Sequence, residues 1–174
     1  MRLTAVLGTV LSIGATAAFL APPAGARTSG KATFRGQLIA INQNGSRHVV
    51  SSIATLRGVF TGIGTIVETP NRPGDPDNVV RDDLVFKGGK MHLRTTNQTP
   101  SFSGDPQTCA VKATIKQTAR VQGGTGRFRN ASGRFTSTVR GWGVAPRNPD
   151  GSCSQNAELL LEVDEVSARG TLSF

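Results

Sequence analysis

Between Val111 and Val121 the chain alternates without interruption: Val111, Ala113, Ile115, Gln117, Ala119 and Val121 share one parity, and Lys112, Thr114, Lys116, Thr118 and Arg120 the other. A period of two predicts a strand with one dry and one wet side. Extended runs precede it at 32–41, 49–56 and 58–67, and then at 82–87 and 90–97, where Gly88-Gly89 predicts a hairpin with a primed turn. After it come 134–144 and 157–164, where Ala157, Leu159, Leu161 and Val163 alternate with Glu158, Leu160, Glu162 and Asp164, and finally a short last strand from Gly170 to Phe174. Asn42-Gln43-Asn44-Gly45, the stretch from Pro70 to Pro76, Gln98 to Gln107 and Pro146 to Ser154 carry turn and loop signals. The residues from Glu158 to Val166 favour helix by propensity, but their alternation groups them with the strands. This spacing of runs and turns predicts an all-β chain of about eight antiparallel strands, a barrel or a sandwich.

In a small barrel alternate residues point inward, so parity maps a lumen. The predicted inward set is Leu84, Phe86, Met91, Leu93, the odd residues from Val111 to Val121 and the odd residues from Leu159 to Val163, with Asp82, Thr95, Gln117 and Ser137 as its few polar members. Phe86, Met91, Ile115, Gln117, Asp82 and Leu161 are therefore the candidate contacts to a small apolar molecule, although a lumen filled by its own side chains satisfies the same pattern. Burial would raise the pKa of Asp82 and let it polarise a substrate. Glu158, Glu162 and Asp164 have the opposite parity and read as a solvated outer face beside Lys112, Lys116 or Arg120.

A glycine-rich corner, Gln122 to Phe135, separates two of the runs. Gly123, Gly124, Gly126 and Gly133 permit a sharp reversal, and Phe128 and Phe135 give it apolar anchors. Gly124-Thr125-Gly126 is not a dinucleotide cradle, because a strand rather than a helix follows it. The segment from Gly123 to Gly133 resembles the Gly-Gly-Thr-Gly-x-Phe-x-x-Ala-x-Gly segment of the allene oxide cyclase and dirigent superfamily, including its bacterial barrel-like members. Phe34-Arg35-Gly36 and the stretch from Phe60 to Thr65 are similar to that family's early strands in type and spacing. The resemblance implies a small antiparallel β-barrel over most of residues 32–174, within a single domain of 27–174, and a homo-oligomer as one option. It implies no particular substrate, but by analogy with related barrels the apolar lumen would hold a hydrophobic guest and direct its cyclisation or isomerisation without a cofactor. It carries over no catalytic residue, because the corner is architectural, and leaves open whether the chain is an enzyme.

The chain begins Met1-Arg2-Leu3, runs apolar to Ala21 and ends the run with Pro22-Pro23-Ala24-Gly25-Ala26, which predicts a secretory signal peptide cut after Ala26. No later run is long and apolar enough to span a membrane, so a secreted domain is expected. In an oxidising compartment Cys109 and Cys153 are expected to form a disulfide, while two cysteines with no neighbouring histidine make a poor metal site. His48 and His92 belong to no catalytic motif, and no metal or cofactor is expected. The formal net charge of +9 adds an alternative function, a non-catalytic module holding an anionic cell-envelope polymer. Nucleic acid is a poor fit for an exported chain with scattered arginines, no Tyr and one Trp. Arg-, Ala- and Gly-rich usage is also that of a GC-rich bacterial genome, which accounts for part of the basicity.

Overall fold

The computed structural model describes residues 28–174; the expected signal peptide lies outside the described residues. Nine strands follow one another: β1 (Ser29–Gln43), β2 (Ser46–Gly58), β3 (Gly62–Thr69), β4 (Val79–Phe86), β5 (Gly89–Asn97), β6 (Ser101–Gly104), β7 (Ala110–Gly124), β8 (Ser132–Val144) and β9 (Leu161–Ser173). They bond in the order β5-β4-β3-β2-β1-β9-β8-β7-β6, and an additional β5–β7 pairing closes eight of them into an antiparallel barrel with β6 as an extra strand. No helix among the described residues is long and apolar enough to cross a membrane.

β7 makes closure work by serving two partners along one edge. Its C-terminal half pairs with β5, from Asn97↔Gln117 to Met91↔Gly124, and its N-terminal half pairs with β6, from Ser101↔Thr114 to Gly104↔Val111. The expected loop at 98–107 thus contains a strand, because the upper edge of β7 would otherwise leave its backbone groups unpaired. Two other expectations are corrected. β9 is one strand, not two, and residues 157–160 belong to the connection before it; β3 starts at Gly62, since Gly58 ends β2.

Local chemistry explains the turns. Asn44 (φ 57) and Gly45 (φ 81) are both left-handed, as a two-residue primed turn requires, and the Gly45 amide donates to Asn42 Oδ1 at 2.8 Å. The β4–β5 hairpin forms as expected, but Gly89 already pairs with Phe86, so Lys87 and Gly88 make the turn. Only Gly88 of that pair is left-handed (φ 96), so the turn is not primed.

One end of the barrel is plugged. The rings of Phe60, Phe86, Phe128 and Phe174 meet mostly edge to face, with centroids 5.1–6.1 Å apart, and the Arg127 guanidinium lies 4.9 Å from the Phe60 centroid. The glycine corner delivers Phe128, which is fully buried, by docking on the β4–β5 hairpin. Thr125 N donates to Lys90 O at 2.8 Å and Arg127 N to Gly88 O at 3.0 Å. Such an approach excludes side chains: a Cβ on Gly124 would fall 1.9 Å from Lys90 O, and one on Gly126 2.1 Å from Gly88 O.

At the other end, Cys109 and Cys153 form the expected disulfide, with Cα atoms 5.4 Å apart, tying the long β8–β9 connection to the start of β7. The β2–β3 seam is thin. β2 and β3 share three residue pairs, Ala54↔Gly64 to Leu56↔Gly62, against twelve between β1 and β2. Beyond them the Ser52 hydroxyl bridges the two strands, donating to Ile66 O and accepting from Ile66 N, both at 2.7 Å.

Gly126→Ala would combine a backbone of φ 55 with a backbone collision, and is expected to lower unfolding free energy by at least about 2 kcal/mol. Urea denaturation measures this, with Asn130→Ala, on the exposed side of the same corner, expected to change it by less than about 0.5 kcal/mol.

Candidate ligand-binding lumen

Above the phenylalanine plug the barrel encloses a cavity of about 380 Å³. Its lower wall is apolar, with Phe34, Leu56, Leu84, Met91, Val121, Phe135 and Leu172, and its middle adds Ile66, Leu93, Ile115, Ala119 and Val139. A polar ladder crosses three strands at mid-height. Gln117 Nε2 donates to Asn97 Oδ1 at 2.8 Å, and Ser137 Oγ donates to Gln117 Oε1 at 3.1 Å.

Charge gathers at the open end. Arg47, Glu68, Asp82, Glu162 and Asp164 all line the cavity there. Arg47 reaches from β2 to both sides: Nε lies 2.5 Å from Glu162 on β9, and Nη1 2.6 Å from Glu68 on β3, so this ion pair spans the mouth and the β2–β3 seam. Burial works against the Arg47 charge, yet Glu162 and Glu68 prevail and hold its pKa above the ordinary value. Asp82 faces Glu68 across the β3–β4 ladder. Its pKa is raised to about 6, first by burial and then by the negative charges of Glu68 and Asp83. Asp164 is also pushed up, by burial and by Glu162 two residues away on the same face, with Arg47 pulling the other way. A gap left by Gly141 accommodates it, since a Cβ there would sit 2.6 Å from Asp164 Oδ1.

The site therefore joins an oily shaft to a mouth where Asp82 and Asp164 retain protons well above the usual carboxylate range. A protonated carboxyl can donate a hydrogen bond to a carbonyl, hydroxyl or ether oxygen, which an ionised one cannot.

Of the six candidate contacts read from parity, Met91, Ile115, Gln117 and Asp82 line this cavity. Phe86 shares the inward parity but is packed into the plug. Leu161 faces out. Register settles this: Glu162 pairs with Ala40 and Gly143, and Asp164 with Leu38 and Gly141, so the even residues of β9 point inward and Leu161 and Val163 outward. Val163 is nevertheless only 6% exposed, because Ile39 and Trp142 flank it on the outer face. The expected solvated surface at Glu162 and Asp164 is thus corrected to the interior. A usable signal lay further along the strand, where Val166, Ala168 and Leu172 already share the even parity. Nothing in the sequence marked Arg47 or Glu68 as their partners. Thr95, Asn97 and Ser137 also line the cavity. His92 stays outside, with Nδ1 2.5 Å from Asp83 Oδ1.

No family model, curated protein or solved structure matches the chain. What the lumen can do rests on its own residues.

The raised pKa of Asp82 sets a pH dependence. The folded state keeps that proton to about pH 6, whereas a free carboxyl releases it near 3.8, so the associated stability is complete below about pH 4 and lost as pH rises past about 6. Asp82→Asn, which is neutral throughout, is expected to gain on the parent by on the order of 2 kcal/mol between pH 4 and pH 8. Guanidinium unfolding at the two pH values checks it; a difference that does not vary with pH would mean that Asp82 is ordinary.

Proposed function

We propose that the barrel binds a small, mainly apolar molecule lengthwise in its lumen, with an oxygen-bearing end at the mouth, and that Asp82 and Asp164 act on that end as hydrogen-bond donors. The observation that carries this reading is the 380 Å³ cavity, plugged by phenylalanines below and edged by proton-retaining carboxyls above. Its size lies in the range of small-molecule sites, which are typically apolar with a few oriented polar groups.

The same arrangement supports a chemical step without a cofactor. A narrow shaft restricts a flexible guest to a few folded conformers, and an acid poised near neutrality can donate to an oxygen on which negative charge develops. Cyclisation or isomerisation of an unsaturated, oxygenated chain fits both. The resemblance of the glycine corner to the allene oxide cyclase and dirigent superfamily points the same way, as an analogy of fold. Secretion after cleavage at Ala26 belongs to this proposal, and the disulfide is compatible with it.

Native mass spectrometry of the exported, disulfide-intact chain is expected to show a bound apolar molecule that denaturation releases. Ile115→Trp, which fills the shaft while leaving the mouth intact, is expected to weaken displacement of a bound hydrophobic fluorophore by about tenfold or more at unchanged thermal stability. Undiminished binding in that variant would place the guest elsewhere and defeat the reading.

A further inference from the structure

The outer wall formed by β2, β1, β9, β8 and β7 carries the chain's positive surplus. Register aligns its outward side chains in cross-strand rows. Lys116, Thr138, Ser167, Arg35 and Thr55 make one, and Thr118, Thr136, Arg169, Thr33 and Arg57 the next. Arg120, Arg134, Thr171 and Lys31 make a third, while Arg140 stands beside Glu165 on the other flank.

These rows hold eight exposed cations and one carboxylate. The chain as a whole has 20 Lys and Arg against 11 Asp and Glu; setting this face aside leaves twelve against ten, so the surplus is concentrated on one wall. None of the eight has a carboxylate oxygen within 4.0 Å among the described residues, all the ion pairs there being made by other cations. Arg120 even lies directly opposite Arg134 in the β7–β8 ladder, a like-charge pairing that weakens a sheet unless an anion screens it. Between the rows runs a groove of about 930 Å³, lined by Arg35, Lys116, Arg140 and Arg169 and by threonine and serine hydroxyls.

We propose that this wall binds a linear acidic polysaccharide. Guanidinium groups pair with carboxylate or sulfate oxygens, and the hydroxyl rows between them suit a chain rich in its own hydroxyls. Rows repeat roughly every 7 Å along the strands, two residues apart, so a polymer lying in the groove meets several cations at once and gains by releasing their counterions. Nucleic acid is disfavoured by the same map, because no aromatic side chain stands in these rows to stack a base. The surface lies outside the lumen and is independent of what the lumen holds.

The test is titration of the full disulfide-bonded chain with a heparin decasaccharide and with a polygalacturonate fragment at about 50 mM salt, beside a thymidine oligonucleotide of equal charge. Both saccharides are expected to bind and to weaken steeply with added salt. The double variant Arg35→Gln/Arg169→Gln is expected to lose affinity by about tenfold or more, while Lys87→Gln/Arg129→Gln, of the same net charge but off this wall, loses less than about twofold. Thermal melting of both variants establishes that they are folded. Equal losses in the two variants would show attraction to net charge alone and overturn the proposal. So would tighter binding of the oligonucleotide, or no saccharide binding at this salt.

Discussion

Closure of the sheet on itself, through the β5–β7 pairing, is the constraint on which everything else depends. Once the ring is shut, each strand's alternation is committed to one of two environments, and a slip of one residue would exchange them. β7 can close the ring because it is fifteen residues long and divides its edge between β5 and β6. The glycine corner that follows it then packs against the hairpin turn of the strand pair just closed, and the aromatic plug forms at that junction.

Closure also separates two populations of charge. Four carboxyls, Glu68, Asp82, Glu162 and Asp164, face the lumen with Arg47 as the cation among them. Six other arginines, Arg35, Arg57, Arg120, Arg134, Arg140 and Arg169, stand outside in cross-strand rows with one carboxylate. Because the inner group is partly shielded from water, burial and neighbouring charge raise the pKa values of Asp82 and Asp164, whereas the outer group is left to solvent and salt. One wall therefore has two chemistries, an interior mouth where Asp82 and Asp164 retain protons and an exterior of exposed cations.

Much of the fold was legible because period-two patterning is a direct image of a two-sided wall. Val111 to Val121 points as its alternation requires, a hairpin joins β4 and β5 although Lys87-Gly88 rather than Gly88-Gly89 make its turn, the Cys109–Cys153 bridge forms, and Met91, Ile115, Gln117 and Asp82 reach the cavity. The mistake on β9 has a physical source. Leu161 and Val163 are apolar because they pack beside Ile39 and Trp142 on the outer wall, so at this strand's start hydrophobicity marks the outside and the acids mark the lumen. β6 was hidden for a different reason, since Ser101–Gly104 is fully exposed and exists to satisfy an edge rather than to bury anything. Arg47 could not be found by pattern, because its role depends on residues 21 and 115 positions away.

The thin junction between β2 and β3 has a mechanical consequence. Elsewhere the wall can part only by unzipping a longer ladder, but beyond Ala54↔Gly64 these two strands are laced by one hydroxyl and one ion pair, Ser52 to the Ile66 backbone and Arg47 to Glu68. Widening there leaves the disulfide, the aromatic floor and every other ladder untouched. A body too broad for the rim would thus meet least resistance sideways, through a slit clasped by a single guanidinium and its carboxylate.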